Sequence, residues 1–339
     1  MAKIEHIVKW NKKTSSWQNP TPENYGNSFS ISTYEPILND PLDGFNYIII
    51  ASGSRLERNT NNFINIDEKI YRMDNVIEHY KNQKGNYIIQ CFFIDKDAPI
   101  IETAKKFANY IDSLSINPST KTINIMGVSK CGAMSFYTPR FFKQQESFDK
   151  TNIFNVAVPY QGTKFASPKI ILSEARKYTK KLFGNTPIAN IVFQKLKNEY
   201  LSGCSYSHMD YDVALQDSIG GIHKALYDKQ FIKNMFCTEN IDAIKQIHSF
   251  HNFTTQIDNQ TLPEAIKTLN TWGISLCILN EIFFSGQADG LVPFESQKSV
   301  DDFIQKESIH LQSHHDVNTN ISACNQILTE IDKTLALKK

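Results

Sequence analysis

The chain has 339 residues, 41% of them hydrophobic and 21% charged, with a formal net charge of +1. This is the composition of an ordinary globular protein with one large domain or two small ones. So balanced a charge gives no field that would make nucleic acid or an anionic membrane the main partner, and no apolar run reaches the roughly 18–20 residues of a transmembrane helix.

Residues 1–44 are polar, with short β-like pieces such as SFSIST (28–33), and read as an N-terminal extension forming a hairpin or edge strands. FNYIIIAS (45–52) is a continuous apolar strand of the kind buried on both faces. Ile66 to Tyr80 then shows helical spacing through Ile70, Met73, Val76, Ile77 and Tyr80. NYIIQCFFI (86–94) is a second buried strand, and Ile100 to Leu114 is an amphipathic helix. A strand at 121–126, a helix from Lys130 to Phe142 and a strand at IFNVAV (153–158) follow. Strands alternating with helices imply parallel pairing through right-handed crossovers, hence a doubly wound sheet.

From 165 to 270 the rhythm changes. Helical stretches are expected at Pro168–Phe183, Ile188–Leu201, Tyr211–Asp217, Ile222–Phe236 and Leu262–Leu269, with loops around 202–208 and 252–260. This is read as a helical cap or lid inserted into a core made of 45–164 and 271–339. Extra helical packing with no part in substrate control would give the same pattern. The core resumes with an apolar strand at about Leu276 to Phe284, which breaks into a loop carrying Asp289. A weaker strand (Ile309, Leu311) ends in a loop carrying His314 and His315, and a helix closes the chain from about Asn320.

The most informative stretch is KTINIMGVSKCGAMSF (121–136): strand, tight turn with Ser129 at its tip, then helix. That is the context of a nucleophile elbow, in which residues flanking the serine must be small so that strand and helix can approach. Gly127 lies two residues before the serine. Cys131, two after, takes the place of the usual second glycine, and Gly132 follows it. An ordinary β-turn-α junction is the competing reading. Downstream, Asp289 and His314 each fall just past an expected strand, in the order serine, acid, histidine.

These residues carry a resemblance to the lipase/serine esterase branch of the α/β-hydrolase superfamily. FNYIIIASGS (45–54) is similar to the strand and turn that supply part of the oxyanion hole, and 127–132 to the elbow. NVAVPYQGT (155–163) resembles a strand followed by Pro-His-x-Gly-Thr. SGQADGLVPFES (285–296) and SHHDV (313–317) resemble the acid and histidine loops. Ser52 and Tyr160 stand where the family often has histidine. The resemblance implies an α/β-hydrolase fold, a mostly parallel doubly wound sheet with a helical cap insertion. It also implies a triad of Ser129, Asp289 and His314. The H-x-D-[LIV] pattern, two residues before Asp316, picks His314, with His315 as the alternative base.

In that chemistry the histidine takes the serine proton as it attacks, and Asp289 fixes the tautomer and steadies the imidazolium. The oxyanion would accept from the backbone N–H groups of Lys130 and Ser54. Asp289 could instead shape a turn, since Asp-Gly is a common turn pair, and Asp301 and Asp302 are alternative acids in the following helix. Lys130 beside the serine raises a Ser-Lys dyad, and Cys131 near a helix N-terminus raises a thiol of lowered pKa. Adjacent residues on a sharp turn point apart, however, and a need for small size explains the cysteine.

The function expected is a serine hydrolase of carboxylic esters, acting on a small-molecule ester or lipid through an acyl-enzyme without a cofactor. A thioesterase or acyltransferase with the same triad, or a non-catalytic binding protein on this scaffold, are the alternatives. The six cysteines (91, 131, 204, 237, 277, 324) have no C-x-x-C pair and read as reduced thiols, and the nine histidines lack metal spacing. MAKIEHIVKWNKK at the N-terminus has no signal-peptide core, so a cytoplasmic protein without a metal site is expected.

Overall fold

The computed structural model describes residues 3–11, 16–18, 27–33, 36–40, 43–52, 74–94, 100–163, 168–194, 235–258, 263, 277, 280–281, 286–313 and 320–336. Nine strands form one sheet: β1 (Lys3–Asn11), β2 (Ser16–Gln18), β3 (Asn27–Thr33), β4 (Phe45–Ser52), β5 (Asn86–Ile94), β6 (Thr120–Val128), β7 (Thr151–Val156), β8 (Ser249–Gln256) and β9 (Ile309–Gln312). Their order is β2-β1-β3-β5-β4-β6-β7-β8-β9. The six strands from β5 to β9 in that order run parallel, and β3 joins them, antiparallel, to β1, which pairs antiparallel with β2 on its other side.

The helices are α1 (Asp74–Lys81), α2 (Ile100–Ser115), α3 (Lys130–Tyr137), α4 (Gln145–Lys150), α5 (Pro168–Phe183), α6 (Thr238–Gln246), α7 (Phe294–Lys298), α8 (Asp301–Ile304) and α9 (Ile321–Ala336). Alternation along the strands divides the core between the two faces of the sheet. Tyr47, Ile49 and Ala51 of β4 pack with Ile100, Ala104, Phe107 and Ile111 of α2 and with Met134 and Phe136 of α3. Ile48 and Ile50 pack on the other face with Val76 and Tyr80 of α1 and Ile327, Leu328 and Ile331 of α9. Each fully buried isoleucine in such layers contributes about 1.5–3 kcal/mol relative to exposure.

One polar ladder crosses the buried sheet. Thr122 donates to Asn46 Oδ1 (2.8 Å), Asn152 Nδ2 to Asn124 Oδ1 (2.8 Å) and Ser249 to Asn152 Oδ1 (2.9 Å). These side chains satisfy one another across β4, β6, β7 and β8, so a slip of register would strand polar groups in the core.

Two elements differ from expectation. The stretch 252–260, expected as a loop within the inserted helical region, contributes to β8, which pairs with both β7 and the edge strand β9 of the parallel array. A core strand therefore lies inside 165–270. The expected strand at Leu276–Phe284 is not seen: its described residues, Cys277, Asn280 and Glu281, are helical. The expected helix to Phe142 also stops early, at Tyr137, and passes into a 3-10 turn at Thr138–Phe141 where Pro139 sits. α1 corresponds to the end of the expected 66–80 helix, and 66–73 lie outside the described residues. Of the inserted region α5, a helical stretch at 187–194, α6 and β8 are described; the helix expected at Ile222–Phe236 is described only at its last two residues, and those expected at 211–217 and 262–269 lie outside, apart from Pro263, which is helical. Among the described residues no helix is long and apolar enough to cross a membrane.

β6 and α3 approach each other closely at two glycines. A Cβ on Gly132 would overlap Val158 Cγ2 and lie 2.9 Å from the Gly127 carbonyl oxygen; one on Gly127 would lie 2.9 Å from Gly132 Cα. Gly132 is helical, where alanine is ordinarily favoured by about 1 kcal/mol. Gly132→Ala is expected to reverse that sign and destabilise the fold by about 2–4 kcal/mol, because the backbone and a stiff buried valine cannot yield. Urea unfolding of the variant against wild type measures it; an unchanged midpoint would mean the helix can move away from the strand.

Candidate active site at the carboxyl edge of the sheet

In a parallel sheet the carboxyl ends of the strands form one edge, and loops leaving it converge. Ser129 follows the end of β6 there, at φ 55° and ψ −125°. A non-glycine residue at positive φ costs about 1–3 kcal/mol, and here the surroundings impose it. The Ser129 N–H donates to Val156 O at the end of β7 (2.9 Å), while Gly132 N–H and Ala133 N–H donate to Ser129 O (2.9 and 3.2 Å). Strand on one side and helix on the other thus hold the turn, leaving the Ser129 side chain partly exposed at its tip. The glycines whose smallness permits this are Gly127 and Gly132. Cys131 is fully buried beneath, and burial pushes its thiol up to about 12, with Lys130 acting weakly in the opposite direction. The lowered thiol pKa considered from sequence is therefore reversed by desolvation. Lys130 opens α3 and its side chain is itself buried, at 2% exposure.

Asp289 lies in the loop between β8 and α7 and is fully buried. Its Oδ1 accepts from the N–H groups of Leu291 (3.0 Å) and Val292 (2.8 Å), and Gly290, at φ 101°, lets the loop turn to offer both. Its Oδ2 accepts from the Thr255 hydroxyl (2.6 Å) and from Gln297 Nε2 (3.2 Å). Thr255 belongs to β8, so the acid loop is fastened to the end of that strand. Asp301, weighed as another acid, accepts instead from the N–H and hydroxyl of Ser308 before the start of β9, at the opposite edge of the sheet, and Asp302 is exposed. Ser313, which follows β9, is buried and donates its N–H to Gln256 O (3.0 Å) at the end of β8. His314 and His315 follow Ser313 in the sequence. Those two histidines and Ser54 lie outside the described residues.

A buried chain of hydrogen bonds runs beneath the site. Ser135 of α3 donates to Asn155 Oδ1 (2.5 Å), and Asn155 Nδ2 donates to Gly132 O and to Tyr160 Oη (3.0 Å each). The Tyr160 hydroxyl donates to Asn252 Oδ1 (3.1 Å), and Asn252 Nδ2 donates to Gln297 O (2.9 Å). Elbow helix and acid loop are thereby joined through side chains of β7 and β8. Tyr160, noted from sequence only as a departure from the usual histidine, is fully buried and is the middle link. Burial raises its phenol well above the ordinary value, so it stays neutral and donates. Its loop is tied to the acid loop again: Gln161 N–H donates to Ser296 Oγ (3.0 Å), Ser296 Oγ to Gly162 O (2.8 Å), and Thr163 Oγ1 to Leu291 O. Tyr160→Phe is expected to cost about 1–3 kcal/mol in chemical denaturation, because Asn252 Oδ1 loses its donor inside the core. A variant as stable as wild type would show that water or a rearranged amide takes over.

The sequence pattern did not single out Thr255, Gln297, Asn252, Asn155 or Ser296. Asn155 and Ser296 lie within NVAVPYQGT and SGQADGLVPFES without a role of their own there, and Thr255, Gln297 and Asn252 belong to no motif. The usable signal was the polar content of SFHNFTTQ, which as a buried strand demands partners.

No protein-family model matches the sequence, and no curated protein matches it either. Solved structures do resemble it at low identity. The mature lipase BlEst2 of Bacillus licheniformis is 11% identical over 90% of this chain and 97% of its own, with a TM-score of 0.46. The peroxisomal alpha-beta-hydrolase Lpx1 of Saccharomyces cerevisiae is 12% identical over 99% and 90%, with a TM-score of 0.45. The esterase Pf2001 of Pyrococcus furiosus is 11% identical over 99% and 92%, with a TM-score of 0.44. Likeness at that level carries no weight by itself. It is the six parallel strands, flanked by helices and with Ser129 at a strained turn between β6 and α3, that give this chain the α/β-hydrolase fold.

Proposed function

We propose that the protein is a serine hydrolase of carboxylic esters, lipase- or carboxylesterase-like, working through an acyl-enzyme on Ser129. The observation that carries this reading is the backbone of Ser129 itself. A plain turn serine needs neither φ 55° nor two glycines packed against each other to support it, whereas a nucleophile that must stand clear of strand and helix needs both.

In the proposed reaction the Ser129 hydroxyl oxygen attacks the ester carbonyl while the base on the loop after β9, His314 with His315 as its alternative, takes the proton. Asp289, which accepts from Leu291, Val292, Thr255 and Gln297 among the described residues, orients that base and stabilises the imidazolium. The backbone N–H groups of Lys130 and of Ser54, on the loop after β4, receive the developing oxyanion. Collapse of the tetrahedral species expels the alcohol, which takes the proton back from the imidazolium. Water then repeats the sequence to release the acid. No metal or cofactor enters any of these steps. Transfer to another acceptor would follow the same course with that acceptor in place of water, so a thioesterase or acyltransferase shares the machinery. The cap is proposed to lie within 165–270, apart from α6 and β8, which pack in the core, and the substrate to be a small ester or lipid. The scattered cysteines, free among the described residues, support a cytoplasmic location.

The test is intact mass after incubation with a fluorophosphonate, followed by turnover of aryl esters of increasing acyl length. One covalent adduct on Ser129, with ester turnover, is the expected result. Folded protein that neither labels nor turns over esters and thioesters would leave a scaffold without this activity.

A further inference from the structure

We propose that Thr255 is a positioning residue for the acid of this site: its hydroxyl holds Asp289, and Gln297 locks Thr255 in place. The inference rests on the proposed serine-hydrolase reading of Asp289.

The geometry is specific. Thr255 has one hydroxyl hydrogen and two acceptors in reach, Asp289 Oδ2 at 2.6 Å and Gln297 Oε1 at 3.1 Å. The shorter bond goes to the charged partner, as a charge-assisted hydrogen bond should. The hydroxyl is aimed because its residue is clamped. Gln297 Oε1 accepts from the Thr255 N–H (2.7 Å), and Gln297 Nε2 donates to the Thr255 carbonyl (3.0 Å). The amide thus pairs with both backbone groups of Thr255 as a neighbouring strand would. Its orientation has no alternative, because a flipped amide would set its nitrogen against an N–H and its oxygen against two carbonyls, the second being Val292 O (3.1 Å). Thr255, Gln297 and Asp289 are all buried, so none of these bonds competes with water. At 3.2 Å Gln297 Nε2 also reaches Asp289 Oδ2, but it is shared with two carbonyls and is the weakest of the carboxylate's donors.

Two consequences follow for the reaction. The carboxylate direction that orients the base is set by β8, a strand of the rigid sheet, and not by the acid loop alone. The hydroxyl also draws charge from Oδ2, so its removal strengthens the field on the base and favours the imidazolium. The pKa of the base then rises, and the acidic limb of kcat/KM moves to higher pH.

Thr255→Val keeps shape and removes only the hydroxyl, while Thr255→Ser keeps the hydroxyl. With an aryl ester, and with active sites counted by fluorophosphonate titration, the valine variant is expected to lose roughly 10- to 100-fold in kcat per titrated site. Its KM should stay within about twofold and its acidic limb should shift upward. The serine variant should return most of both. Gln297→Leu should lower kcat per titrated site in the same direction. A threonine that only holds the fold together would lower the number of titratable sites or the melting temperature. It would leave kcat per site and the pH limb where they are in wild type, and that result overturns the proposal. Asp289→Asn is the control: if its turnover per site equals that of wild type, the assignment of the acid has failed and this inference falls with it. If Asp289→Asn is crippled but Thr255→Val is not, only the role of Thr255 is wrong.

Discussion

Ser129→Ala is expected to abolish fluorophosphonate labelling and to reduce ester turnover by at least about 10⁴-fold, with the fold intact. Removal of the nucleophile of such a triad leaves only the binding and oxyanion contributions, which act together with it and cannot replace it. Stability gives a second, independent reading of the same position. Alanine retains the Cβ that makes φ 55° unfavourable, so its melting temperature should match that of wild type. Glycine removes the penalty of about 1–3 kcal/mol and returns some of it, about 0.5–1 kcal/mol, through the greater freedom of its unfolded chain. Ser129→Gly should therefore be inactive and more stable by up to about 2.5 kcal/mol, a rise of up to roughly 4 °C by calorimetry. Opposite signs for activity and stability at one residue are the mark of a strained nucleophile. A serine that served the turn would give neither effect, and a glycine variant less stable than wild type would count against strain at the elbow.

Asp289→Asn is the second large effect, a loss of about 10⁴-fold in kcat. A carboxylate accepts on both oxygens, and Asp289 does so from Leu291 and Val292 on one and from Thr255 and Gln297 on the other. An amide can satisfy only one side. The less costly orientation keeps its oxygen on the two loop N–H groups and turns its nitrogen to Thr255, whose hydroxyl then donates to Gln297 Oε1. The fold is conserved at an expense of about 1–3 kcal/mol, but the amide nitrogen cannot accept from an imidazole N–H, so in the proposed mechanism the base loses its tautomer and orientation. Steady-state kinetics per titrated site, beside a thermal melt, separates this from a loop-shaping aspartate. The latter would show the stability loss with normal turnover.

How much of this was legible in the sequence follows from where the partners of each residue lie. Strands β4, β5 and β6 are apolar runs buried on both faces, and the helices facing them carry a 3.6-residue apolar period, so local sequence determined them. The elbow was equally plain, since a strand, a glycine and a serine before a helix are neighbours in the chain. SFHNFTTQ (249–256) was not. Its Asn252 and Thr255 are polar because Gln297, Tyr160 and Asp289 need them, and those partners are 34 to 92 residues away in sequence. Polar content hid a central strand, while the apolar Leu276–Phe284 run suggested one where the described residues are helical.

By itself, then, the sequence determined a parallel α/β core, a sharp strand-to-helix turn at Ser129 and the order Ser129, Asp289, His314 along the chain. Only the tertiary structure decided that Gly132, not the residue at Cys131, is the second close-approach position, because that depends on Val158 and Gly127 across the turn. It alone decided that Asp289 is fastened to β8 while Asp301 serves the opposite edge of the sheet. Backbone pattern is written locally in hydrophobic period and turn residues. The aim of a buried side chain is set by hydrogen-bond partners that only folding brings within 3 Å.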